Sequence, residues 1–198
     1  MLAVIKFIYN IQTKLNLILK TTLRQPKMTD LINLLRGGDL RSIGQSDTVV
    51  QLINNQEQFD ELFKLLFHSD RKIVMRSADS IEKISLNNKE YLKKHKKEIL
   101  ELCLKAEDKE LKWHLALLVS RLPLTDIELR EVWELLAHWA KNRNESKIVR
   151  VNSLQALFTL LPKDDKLKDD FKFLLSAVER ERIPSLNARI KKLKNGID

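Results

Sequence analysis

The side chains able to move protons or hold a metal are few and scattered. The four histidines are His68, His95, His114 and His138. No two stand four residues apart on a helix, and no HExxH pattern occurs, so one helical face cannot present a paired imidazole site. One cysteine, Cys103, is present, which rules out an intrachain disulfide and a thiolate metal centre. It lies in the apolar run ILELCL and is expected to be a buried structural thiol. The only adjacent glycines, Gly37 and Gly38, lack the Lys-Ser/Thr that would complete a phosphate cradle and read as a helix stop. Neither GxGxxG nor GxSxG occurs. These absences give no catalytic set, no metal ligands and no cofactor to predict. One acid–base pairing remains, Asp70 and Arg76 within DRKIVMRSADSIEKIS.

Two further groups suit binding better than catalysis. Trp113, Trp133 and Trp139 lie close in sequence, beside His114 and His138. They are open to three readings: aromatic core, partner-binding groove or a pocket that stacks a nucleobase. The run KKHKK supplies Lys93, Lys94, Lys96 and Lys97. Together with Trp133 and His138 these lysines form a candidate groove or anion-binding surface, against the simpler reading of a solvated helix face.

Charge narrows the partners. The chain carries +9 over 198 residues, which invites nucleic acid. The excess sits at the ends, +5 over residues 1–29 and +3 over 184–198, leaving +1 in between. The helix that follows KKHKK in the next unit carries Asp126, Glu128, Glu131 and Glu134. Opposite charges on adjacent helices pair with each other more readily than they form a continuous phosphate track, which needs several contacts. A hydrophobic content of 43% with 32% charged residues fits a folded chain. A reducing, cytoplasmic setting is the simplest expectation from the single cysteine.

The elements that must position these residues are helical. Glycine and proline number four each, too few for many tight hairpins. Residues 1–27 are apolar, basic and acid-free, with Val4, Ile8, Ile11, Leu15 and Ile18 at helical spacing. This segment reads as a capping helix, as an extension upstream of a start at Met28, or as a membrane-surface helix; Lys6, Lys14 and Lys20 break any clean transmembrane span. A repeat domain is expected over 28–183, opening with Thr29 as helix cap, and a basic C-terminal helix or tail over 184–198.

Within that domain the apolar positions recur about every 38 residues. Ile73 maps to Leu111 and Val149, Ala78 to Ala116 and Leu154, Ile81 to Val119 and Leu157, and Ile84 to Leu122 and Leu160. The helices that follow match as well: Leu129 with Leu167, Trp133 with Phe171, Leu136 with Leu174, Ala140 with Val178. A helical pair repeated at this length is the signature of an α-solenoid, whose units bury their apolar faces only by stacking. Read as pairs beginning at 70, 108 and 146, the first helices end at or near Pro123 and Pro162.

The chain resembles HEAT or armadillo-type repeat proteins. In HEAT repeats an Asp at the turn between helices and a base early in the second helix form a ladder between units. Asp70…Arg76 resembles that pattern, with degenerate copies at Asp108…His114 and Asn144…Arg150. The resemblance implies an all-α, α-α superhelix of three to five helix pairs, and a non-enzymatic module that binds a protein partner along its groove. The alternative it implies is a nucleic-acid-binding protein similar to HEAT-like glycosylases that excise alkylated bases. Membrane-surface contact through residues 1–27 is a side expectation.

Overall fold

The computed structural model describes residues 27–37 and 44–197. Among them are α1 (Met28–Arg36), α2 (Ser46–Leu52), α3 (Gln56–Lys64), α4 (Arg71–Asn87), α5 (Lys96–Lys105), α6 (Lys109–Ser120), α7 (Asp126–Lys141), α8 (Lys147–Leu160), α9 (Leu167–Glu179) and α10 (Pro184–Lys194). Short 3-10 turns follow α3 and α8, and one over Lys89–His95 leads into α5. No strand occurs among the described residues. The basic segment 1–26, with its three readings, lies outside the described residues.

Local signals set the helix ends. The Asn55, Asp70, Thr125 and Ser146 side chains each accept a backbone N–H of the first turn of α3, α4, α7 and α8. Glu128 completes a capping box on α7 by accepting the Thr125 N–H at 2.7 Å. α1 begins one residue before the expected cap: Lys27, not Thr29, is the N-cap, and its N–H donates to the Asp30 carboxylate at 3.1 Å.

All twelve apolar positions of the three aligned first helices are buried, and so are the eight of the second helices. Each large aliphatic side chain so removed from water contributes about 1.5–3 kcal/mol, which is why the 38-residue pattern is kept where the surface is not.

Packing fixes the phase of the repeat, and the phase differs from the expected one. α3 folds against α4, α5 against α6, α7 against α8 and α9 against α10. Asp70, Asp108 and Asn144 therefore stand in turns inside hairpins, whereas Pro123 and the 3-10 turn holding Pro162 link one hairpin to the next. A periodic pattern is unchanged by the choice of which helix starts the unit; only contact decides it. We call the first helix of each hairpin A and the second B. α10, within the segment expected as a basic C-terminal helix or tail, is the B helix of the last hairpin and buries Leu186, Ile190 and Leu193.

The B helices pack flank to flank in the order α2, α4, α6, α8, α10, while contact between successive A helices is sparser.

Candidate interaction surface

Ion pairs from Arg71, Lys112 and Arg150 join successive B helices, but of the six expected motif residues only Asp108 and Arg150 take part in them. Arg71 reaches forward from α4 to the turn of the next hairpin, its Nε 3.0 Å from an Asp108 carboxylate oxygen and its Nη2 on Glu110. Lys112 in α6 likewise pairs with Glu145 before α8. Arg150 in α8 pairs with Glu181 before α10. Each base therefore joins a B helix to the turn that opens the next one.

The predicted motif residues take structural posts around these pairs. Asp70 caps α4, accepting the Lys72 N–H at 2.9 Å. Arg76 is almost fully buried and donates to the carbonyls of Leu35 and Gly37 at the end of α1. Arg150 donates from Nε to the Ala140 carbonyl, 2.8 Å away near the end of α7. His114 instead contacts the preceding B helix, its Nδ1 2.6 Å from Glu82. Arg121 donates to the Glu82 carbonyl at 2.7 Å, and burial lowers its guanidinium pKa, with Glu82 acting in the opposite sense. The Asn144 N–H donates to the Asn142 side chain, 3.0 Å away.

The candidate lysines and Trp133 do not converge. Lys93 pairs with Glu90, Lys94 with Asp60, and Lys96 with Glu128 at 2.6 Å; Lys97 is exposed. Lys94 lines a cavity of about 770 Å³ with Asp60 and His95. Asp60 binds His95 Nε2 at 2.6 Å, and the His95 ring stacks on Phe63 with centroids 3.9 Å apart. Burial alone would raise the Asp60 pKa. Hydrogen bonds from Lys94, Gln56 and His95 outweigh it and hold Asp60 at about 2. Trp133 and His138 lie elsewhere, in a 370 Å³ depression between α7 and α9 on the A side, with Glu134, Lys141, Asp170 and the exposed Phe173.

The tryptophans divide. Trp133 is buried edge-on to Phe171, and Trp139 is buried beneath the Lys112 ammonium, 5.5 Å from its ring centre. Trp113 is half-buried on α6, in the B layer, and its carbonyl accepts from Asn152 Nδ2 at 3.2 Å. Cys103 is buried in α5, where desolvation pushes its thiol up to about 12, away from the reactive thiolate. Among the described residues, no three His, Cys, Asp or Glu side chains gather as a metal site, and no helix is long and apolar enough to cross a membrane.

Spacing in the sequence did not reveal the B-face surface at the last two hairpins. Between α8 and α10 a cleft of about 460 Å³ is lined by Ile148, Val151 and Ala188, with Lys147, Arg189 and Lys192 around it and no acid among its lining residues. Ile148 is 45% exposed at its mouth. Arg189 is oriented by its bond to Gln155 Oε1 at 2.6 Å. The only advance signal was the basic composition of 184–198; α8 lies more than 20 residues away from it in the chain, and packing alone brings the two together.

The family model for the HEAT repeat domain matches residues 38–197. No curated protein and no solved structure matches the chain.

Proposed function

The chain belongs to the HEAT repeat family, and from that premise we propose that it is a non-enzymatic module whose B face binds a protein partner through an acidic segment carrying aliphatic side chains. The observation that carries this reading is the cleft between α8 and α10: an apolar floor of Ile148, Val151 and Ala188, ringed by three cations with no acid lining it. An apolar centre inside a charged rim is the anatomy of a protein-binding patch, and Arg is enriched in such patches. The rim charges steer an acidic partner and set its register more than they add affinity.

The nucleic-acid alternative draws less support. Three of the four lysines in KKHKK are held in ion pairs, so releasing them to phosphate costs those partners. Two of the three tryptophans are packed in the core.

Photo-crosslinking with a probe at Ile148 of the full chain, compared with one at Phe173 on the A side, tests the reading. A specific, saturable protein adduct from position 148 alone, suppressed by Arg189→Glu with Lys192→Glu, is the expected result. Adducts from position 173 and none from 148 would overturn it. Salt-dependent binding of duplex DNA at about 50 mM salt, with a steep salt slope, would favour the alternative instead.

A further inference from the structure

A second positive site lies on the edge of the stack where B helices end. The cavity there is about 390 Å³ and is lined by Lys89, Glu90, Lys93, Arg121, Thr159 and Lys163, among others. These residues come from three successive links between hairpins: Lys89 and Lys93 lie in the 3-10 turn before α5, Arg121 caps the end of α6, and Lys163 lies in the 3-10 turn after α8.

Local compensation of these cations is incomplete. Lys93 pairs with Glu90 at 2.5 Å, the one acid lining the cavity. Arg121 is directed at Glu82 and Ser85. Lys163 donates to the Leu122 carbonyl at 2.7 Å, a neutral partner, and no ion pair joins it or Lys89 to an acid among the described residues. The Lys163 ammonium is held below the usual lysine range by burial first, then by repulsion from Lys89 and Lys96. Lys83 and Lys94 are shifted the opposite way by their carboxylate partners. The carbonyls that end α6 offset part of the positive charge, which explains how the lysines are tolerated but leaves their mutual repulsion in place.

We propose that this edge cavity binds a phosphate group, with Lys89 and Lys163 as its principal cationic contacts and Arg121 as a flanking one. A multiply charged tetrahedral anion suits cations arriving from three separate elements better than a single carboxylate does. The volume exceeds that of a bare ion and lies at the low end of small-ligand pockets, about 300–1,000 Å³, so a small phosphate monoester fits as well as free phosphate. The site is separate from the α8–α10 cleft and stands whether or not a protein binds there.

The test is titration of the full chain with inorganic phosphate, pyrophosphate and glycerol 3-phosphate at about 50 mM salt, followed by thermal shift and by NMR of the lysine ammonium groups. Saturable binding that raises the melting temperature and the Lys163 pKa is expected. Preference for glycerol 3-phosphate over phosphate identifies a monoester ligand; the reverse identifies the free ion. Lys89→Gln should weaken binding at least tenfold, as should Lys163→Gln, whereas Lys163→Arg should hold it within about threefold. Lys105→Gln, remote from the cavity, should leave it unchanged. Lys89 and Lys163 are both exposed, and if Lys163→Gln fails to fold, Lys89→Gln carries the test. No binding up to about 10 mM ligand, or binding equal in Lys89→Gln and the unaltered chain, overturns the proposal.

Discussion

Arg150 and Glu181 form a two-pronged pair, with Nη2 2.7 Å from Oε1 and Nη1 3.1 Å from Oε2. The guanidinium is 2% exposed, and its remaining Nε bonds the Ala140 carbonyl. One side chain thus joins α8 to the end of its own A helix and to the turn before α10. The two partners hold the last hairpin in register on the stack.

Removing this arginine leaves Glu181, in a mostly buried place, with only the exposed Arg143, whose Nε stands 3.5 Å away. Arg150→Ala is expected to destabilise the fold by about 3–5 kcal/mol. Arg150→Lys keeps the charge but loses the fork and should also be less stable than the unaltered chain. Urea denaturation of each variant measures this. A double change to Arg150→Met with Glu181→Leu should recover much of the loss, because a charge left unpaired costs more than the pair contributes.

Gly44 is expected to resist substitution for two reasons that act together. Its φ is +58°, and a Cβ there would meet the Arg76 Cδ, Nε and Cζ at 3.2 Å. The left-handed backbone alone costs a non-glycine residue about 1–2 kcal/mol. Gly44→Ala should lower stability by at least this amount; Gly44→Asn should lose less of the backbone share.

Asp70→Ala should reduce stability by about 1 kcal/mol, the loss of one helix cap, with Asn or Ser at this position recovering most of it. Chemical denaturation checks the magnitude. A variant with an unchanged midpoint that nevertheless loses partner binding would show that Asp70 acts at the surface instead of at the helix end.

Asp60 supplies an acid-side dependence. Its folded pKa of about 2 lies below the ordinary value of 3.8. The ionised carboxylate therefore stabilises the fold above about pH 4, and that contribution fades as pH falls through about 2. Melting temperatures of the unaltered chain and of Asp60→Asn should differ most above pH 4 and converge toward pH 2. A constant gap across that range would mean that the hydrogen bonds to Gln56 and His95, not the charge, carry the effect.

The tryptophans and the lysine run show where reading the chain stops. Trp133 is legible as a core residue because it aligns with Phe171 at the repeat spacing, and both are buried. Trp113 has no such marker, and its half-exposed place on the B layer follows from how α6 sits between α4 and α8. KKHKK looks like a free basic surface until Asp60 and Glu128 are brought to it across 34 and 32 residues of chain. The α8–α10 cleft has no contiguous motif at all.

By itself the sequence determined an all-α repeat and the residues that face its core, because 3.6-residue periodicity and a recurrence near 38 residues are local properties of the chain. It also carries none of the motifs HExxH, GxGxxG and GxSxG. Tertiary structure alone decided the phase of the hairpins, since a periodic pattern has no origin. It decided as well which acid each base meets: Arg71 finds Glu110 at 39 residues, Lys112 finds Glu145 at 33 and Arg150 finds Glu181 at 31. Those offsets vary because electrostatic partners are chosen by distance in space after the helices have packed.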